Sequence, residues 1–325
     1  MLKVVDRGGL FLPSYGLWMD AHRPKPFAVV SHAHSDHIAP HQSFIATAPT
    51  IDFMRVRLGD AAASRGIVLP YREPYQKGPI KIELFPAGHI LGSAMVHVTT
   101  ESGESLLYTG DFKTRFGLAA EKIQVPQADT LVMESTFGRP DFTFPPTLAV
   151  QEAIRKYCLE SFVNGKIPIL LAYSLGKAQE VLKILEEVKL PIMAHKSIRL
   201  LNPVYQKYGF CMPVTRPLDF DNMQGHIVLM PPSVRKKLPA EIPPHRTAMV
   251  SGWGIKESAR YRYRTDKVFP LSDHADYPEL LQFVKQVNPH TTYLMHGSTV
   301  ALASDLRRQG REAWSLNCAD QLELL

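Results

Sequence analysis

At 325 residues, 45% of them hydrophobic and 21% charged, the chain holds enough apolar material for a sizeable core and two folding units, which excludes disordered and fibrous classes. A formal charge of +6 and a pI near 9.1 allow a polyanionic partner without establishing one. Cys158, Cys211 and Cys318 are scattered and form no C-x-x-C pair, which argues against a disulfide framework or a cysteine zinc site and fits a reducing compartment. No stretch reaches the roughly 18 apolar residues of a membrane span. The opening "MLKVVDRGGLFLPSYGLW" is broken by charge, glycine and proline before a leader-like run develops. The expectation is a soluble, cytoplasmic protein with no membrane partner.

In chain order, the first half offers short apolar strands at "FAVVSH" (27–32), "KIELFPAGH" (81–89), "AMVHVTT" (94–100), "SLLYTGD" (105–111) and "TLVMEST" (130–136). Near residue 150 the pattern changes. "FTFPPTLAVQEAIRKYCLESFVNG" predicts a proline-bounded helix closed by Gly165. "IPILLAYS" and "KAQEVLKILEEV" then give strand and amphipathic helix, and "PIMAH" with "SIRLLNPVYQKYG" repeats that order. "HIVLMPP" and "TAMVSGW" add further strands, so a parallel α/β unit is expected. From about 267 the earlier style returns in "VFPLSDH", the helix "YPELLQFVKQV" and the strand "TTYLMHG". The division predicted is residues 1–150, an inserted domain at 151–266, and a return to the first domain at 267–325.

The stretch "SHAHSDHI" (31–38) gathers three histidines and an aspartate directly after a predicted strand. His32 and His34 alternate with Ala33 and project toward one point, while Asp36 and His37 come a turn later and reach a second. Imidazole nitrogen and carboxylate oxygen suit zinc or a similar divalent ion. Further ligand types end apolar strands beside glycine: His89 in "FPAGHILGS", Asp111 in "LLYTGDF" and His296 in "TTYLMHGS". A lone histidine of this kind is usually a hydrogen-bonded loop residue. As a set, these complete two coordination spheres.

The combination H-x-H-x-D-H, a later histidine and a T-G-D aspartate resembles the metallo-β-lactamase fold, which implies an αββα sandwich. "ESTFG" (134–138), "AYSLGKAQE" (172–180), "LSDHADY" (271–277) and "MHGS" (295–298) resemble the signatures of β-CASP nucleases, whose inserted smaller domain is parallel α/β. The resemblance runs from the first strands to the C-terminal helix. It is closest to the DNA-ligase-associated exonuclease branch, through "DRGGLFLPSYGLWMDAHRP", "PAGHILGSA" and "HGSTVALASDLRRQG". It implies one metal on His32, His34 and His89, and a second on Asp36, His37 and His296, with Asp111 bridging. Asp20 matches an acidic position that orients the site. The remaining histidines, among them His22, His41, His97, His195 and His245, are read as ordinary.

Two divalent ions, zinc expected and manganese an alternative, hold a hydroxide between them and stabilise both oxygens of an in-line displacement at phosphorus. The resemblance gives His274 the role of acid or phosphate clamp and Glu134 that of its acidic partner. Gly176-Lys177 opens a helix, which makes Lys177 and Ser174 candidate phosphate-binding groups; a solvated lysine is the ordinary alternative. "RYRYRTDK" (260–267) supplies Arg260, Arg262 and Arg264 for phosphates and tyrosines for unpaired bases. As a strand it would put arginines on one face and tyrosines on the other. "RKK" at 235–237 is read as a solvated charge run.

The function expected is a dinuclear DNA exonuclease in repair, with a DNA ligase and a helicase in the same pathway. The alternative is a β-CASP ribonuclease in RNA processing or decay, which His296 favours because that histidine is typical of RNA-acting members. A thioester or lactam hydrolase of the same fold has no use for the phosphate-facing set of Glu134, His274 and His296. A dead scaffold is expected to have lost ligands, and all seven metal-site residues are present.

Overall fold

The computed structural model describes residues 2–256 and 258–316, so Cys318 lies outside the described residues. The chain forms two units. The first comprises the residues up to 116, 120–143 and those from 274 onward; the second comprises 117–119 and 144–273. The return to the first unit thus comes at 273/274 instead of 266/267. The reason is pairing: Lys267–Phe269 lies parallel to Ala248–Val250 and extends the second unit's sheet.

Two sheets build the first unit. One runs Val5–Asp6, Leu10–Leu12, Leu17–Met19, Ala28–Val29, Phe44–Ala46, Gly66–Val68. The other runs Ala313–Ser315, Thr291–Gly297, Thr130–Ser135, Ser105–Tyr108, Ala94–Thr100, Ile80–Pro86, Tyr75–Lys77. Successive strand side chains point to opposite faces, and this unit uses both faces of the second sheet. Leu106, Val132 and Met295 face the first sheet's Leu10, Met19 and Ile45 in one core. Their neighbours Leu107, Leu131 and Leu294 turn the other way, onto Leu280, Phe283 and Leu302 of the helices Tyr277–Val287 and Thr299–Arg308. Each fully buried side chain of this size contributes about 1.5–3 kcal/mol. On the far side of the first sheet, Gly66 has no room for a Cβ, which would sit 2.8 Å from both Phe44 and Ile51 of the helix Ala48–Leu58. Helices therefore cover both outer faces, the αββα sandwich expected.

The second unit is one parallel sheet in the order Thr215–Pro217, Ile192–Ala194, Ile227–Met230, Ile167–Leu171, His245–Val250, Lys267–Phe269. Its central strand Ile167–Leu171 is buried at every position, as a sheet covered on both faces requires. Leu170, Leu229 and Ala248 pack with Val181, Leu182 and Leu185 of the helix Lys177–Leu185 on one side. Ile169, Val228 and Met249 form the core on the other.

Two local expectations change. The segment after "PIMAH" is two short helices, Lys196–Arg199 and Asn202–Lys207, because Pro203 cannot continue the first and instead starts the second. "RYRYRTDK" opens as the helix Ala259–Tyr263, with Arg264 left-handed at φ 50°, so arginines and tyrosines are not sorted onto opposite faces. Among the described residues, no helix is long and apolar enough to cross a membrane.

Candidate metal centre

Strand ends of the first unit bring the predicted ligands to one place. Ala28–Val29 delivers "SHAHSDH", Ile80–Pro86 leads to His89, Ser105–Tyr108 to Asp111, and Thr291–Gly297 carries His296. One ligand atom each from His32, His34, His89 and Asp111 lies within 4.8 Å of the other three. Asp111 Oδ2 is the hub, 3.5 Å from His32 Nε2, 3.4 Å from His37 Nε2 and 3.8 Å from His89 Nε2. His34 Nδ1 is 3.0 Å from His89 Nε2. The remaining two residues are looser. Asp36 is largely exposed, with Oδ2 3.8 Å from His37 Nε2, and the ring centres of His296 and His37 are 6.1 Å apart.

Electrostatics at this point suit a cation. His32 Nε2 is buried and has no hydrogen-bond partner among the described residues, while its Nδ1 lies 3.0 Å from Ser31 Oγ. Burial, and next the neighbouring His37, push the His32 imidazole well below its ordinary pKa, so it is neutral with a lone pair to offer. Burial alone would raise the Asp111 carboxyl; His37 and then His274 outweigh it and hold the group well below the carboxylate range. Burial likewise opposes charge on His37, yet the carboxylates of Asp111 and Asp20 raise it well above the ordinary value. An orphaned imidazole nitrogen, further imidazoles and a shared carboxylate oxygen are a donor set that a divalent ion satisfies.

Asp20 supports this set from behind. It is buried and accepts from Ser31 N at 2.7 Å, Ser31 Oγ at 2.5 Å and Tyr108 Oη at 2.9 Å, and its Oδ2 is 2.9 Å from His37 Nδ1. The last contact assigns the Nδ1 proton and turns Nε2 toward Asp111. Sequence reading singles out Asp20 but neither Ser31 nor Tyr108. Their only signal is position, one residue before His32 and at the end of the strand that leads to Asp111.

His296 is aimed by a bulge. Pairing between Thr130–Ser135 and Thr291–Gly297 skips from Glu134↔Met295 to Ser135↔Gly297, leaving His296 as the extra residue at φ 54°. Gly297 follows at φ 71°, and a Cβ there would lie 2.2 Å from Ser135 O, so glycine is required. Asp20 is also left-handed, at φ 49°. Of the six described non-glycine residues at positive φ, Asp20 and His296 both stand at this site, held there by the surrounding contacts.

Beside the cluster, Glu134 is buried and its carboxylate oxygens lie 2.8 and 2.9 Å from His274 Nδ1. Phe112 N and Thr136 Oγ1 also donate to Glu134. The His274 ring lies tilted against that of His89, at 59° with ring centres 4.7 Å apart. The residue after it is tied down by Ala275 N donating to Phe112 O at 2.9 Å. The helix that follows begins with a capping box, Asp276 Oδ1 accepting from Glu279 N and Glu279 Oε2 from Asp276 N, and Arg115 pairs with both acids.

The predicted phosphate-binding groups belong to the second unit and look different. Lys177 is buried, its Nζ donating to Leu271 O at 2.7 Å and lying 3.1 Å from Asp273 Oδ1. Ser174 Oγ is 2.8 Å from Ser197 Oγ. Arg260 and Arg264 are exposed and Arg262 is half-buried. Arg235, read as part of a solvated run, instead donates to Tyr263 O and Arg264 O and closes the helix end there.

Residues 261–314 match the family model described as a Zn-dependent metallo-hydrolase RNA specificity domain. Over 97% of its length the chain is 45% identical to a protein of Opitutus terrae described as a probable DNA ligase, and it spans 31% of that protein. It is 33% identical to an uncharacterized protein in the lig 3′ region of Acidianus ambivalens, across 40% of this chain and 89% of that one. An RNase J-like protein of Methanocaldococcus jannaschii is 30% identical across 55% of this chain and 49% of its own length.

Proposed function

The chain belongs to the β-CASP family of the metallo-β-lactamase fold, and from that premise we propose a dinuclear metal-dependent nuclease that hydrolyses DNA phosphodiesters, acting as an exonuclease in repair. The convergence of His32, His34, His89 and Asp111 on one point, with Glu134 and His274 alongside, carries the hydrolytic part of this reading. When bound, two divalent ions, zinc first, would supply the Lewis-acid charge and the activated water that a negatively charged phosphodiester demands. His32, His34 and His89 would hold one ion, Asp36, His37 and His296 the other, and Asp111 both. Asp20 fixes the His37 tautomer and keeps its Nε2 pointed inward. Glu134 binds His274 Nδ1, which leaves Nε2 as the nitrogen that hands a proton to the leaving oxygen or steadies the phosphate.

DNA as substrate draws on the extent of the likeness to a protein described as a probable DNA ligase. A ligase, with a helicase beside it, is the pathway context proposed. The second reading is a ribonuclease, supported by the description of the matched family model, by the RNase J-like relative and by His296.

End-labelled single-stranded DNA and RNA of one sequence, incubated with the protein and Zn²⁺ or Mn²⁺, separate the two. Digestion of DNA with RNA spared is the expected outcome, and preferential RNA cleavage would replace it with the second reading. Asp36→Ala combined with His37→Ala should abolish cleavage with the fold retained; full activity in that variant removes the metal centre from the mechanism.

A further inference from the structure

The second unit contains a cavity of about 250 Å³ lined by His195, Lys196, Arg199, Lys237, Leu218 and Phe220 among others. It lies where three neighbouring parallel strands end. His195 directly follows Ile192–Ala194, Leu218 follows Thr215–Pro217, and Lys237 closes the short helix that follows Ile227–Met230. The carboxyl ends of parallel strands are where open α/β sheets receive ligands.

Charge in this lining is one-sided. Four of its residues are basic types and none is acidic. Among the described residues, the side chains of Lys196, Arg199 and Lys237 make neither a hydrogen bond nor an ion pair. Other cations of the same unit do pair: Arg155 with Glu152 and Glu187, Lys183 with Glu186. His195 Nδ1 accepts from Ser197 N at 3.2 Å, which assigns the ring proton to Nε2 and makes that nitrogen a donor. Burial, then Lys196 and Lys237, depress the His195 imidazole. The remaining walls are apolar, with Leu218 and Phe220 packed against the unit's second core.

Lys196 and Lys237 are exposed and Arg199 half-buried, so water screens their mutual repulsion, and an anion entering the cavity is attracted by all three. We infer that this cavity binds the phosphate of a nucleotide, held by Lys196, Arg199, Lys237 and His195 Nε2, with the sugar or base against Leu218 and Phe220. The choice of a nucleotide over other phosphates rests on the nuclease reading above; the anion site itself does not. The ligand is a free mononucleotide or one unit of a strand, and the two arms of the test separate these sources.

The test measures binding to the full chain of dAMP, deoxyadenosine, inorganic phosphate and a phosphorothioate-linked single-stranded oligonucleotide that resists hydrolysis. The same panel is run with Lys196→Ala/Arg199→Ala/Lys237→Ala and with the charge-preserving Lys196→Arg/Lys237→Arg, each checked for an unchanged circular dichroism spectrum. A tenfold or greater loss of dAMP affinity in the alanine variant, restored in the arginine variant, supports a mononucleotide site. The same loss confined to the oligonucleotide supports a strand-binding site, with a shallower salt dependence in the alanine variant. Equal affinity of wild type and folded alanine variant for both ligands overturns the anion site. Inorganic phosphate binding as tightly as dAMP overturns the nucleotide assignment. Absence of nuclease activity with this binding intact would remove the nuclease reading and leave the site standing.

Discussion

At the strand ends of the first unit, Asp20 and Glu134 are buried and take donors from several elements, and Asp111 gathers histidine nitrogens from two loops. At the strand ends of the second unit, Lys177 is buried and bound to one carbonyl and one carboxylate, while Lys196 and Lys237 stand exposed. Burial of a charge is costly unless every partner is supplied, so the first region needs a dense supporting shell and backbone strain at Asp20 and His296. The second region needs none of that for its exposed cations, and it spends its buried lysine on joining a strand end to the segment leading out of the unit. Polar density at strand ends is thus a poor guide to chemistry by itself. What distinguishes the first region is that its ligand-type atoms face one another across one point, with His32 Nε2 left without a hydrogen-bond partner among the described residues.

Substitutions sharpen this contrast, beginning with the groups beside the proposed metal centre. His274→Ala should lower kcat by about 10²–10⁴-fold, the range for a positioned acid or base. Glu134→Gln keeps an acceptor for Nδ1 but removes the charge, so its loss should be smaller. Steady-state kinetics on a labelled oligonucleotide, with metal content measured in parallel, checks both; a wild-type rate in His274→Ala would show that the pair only holds the loop. A smaller effect is expected one layer further out. Asp20→Asn should weaken metal affinity about 10–100-fold, read by competition with a chelator, because His37 loses the carboxylate that orients it. Unchanged affinity there would mean that Ser31 and Tyr108 position the site without the charge.

The smallest effect belongs to the second unit. Lys177→Met removes the donor from Leu271 O and the partner of Asp273, and should cost about 1–3 kcal/mol of stability in denaturant unfolding, with little change in substrate affinity. Undiminished stability with weakened oligonucleotide binding would reverse the comparison, making Lys177 a phosphate ligand after all.

Much was legible in the residues alone. Apolar runs marked the strands Ala94–Thr100 and Thr291–Gly297 and the helix Tyr277–Val287 to their ends, since periodicity and caps are local signals. The ligand types were legible too, because H-x-H-x-D-H and glycine-flanked strand ends are contiguous in sequence. Tertiary structure alone decided the rest. Ser31 and Tyr108 meet Asp20 from 11 and 88 residues away. The bulge that turns His296 exists only in the pairing with Glu134 and Ser135. Lys177 is bonded to Leu271, 94 residues distant, and His195, already beside Lys196 and Arg199 in sequence, gains Lys237 only where three strands end together. Residue type and spacing specify which groups are available; which of them face one another, and with what charge left over, depends on contacts that no local pattern encodes.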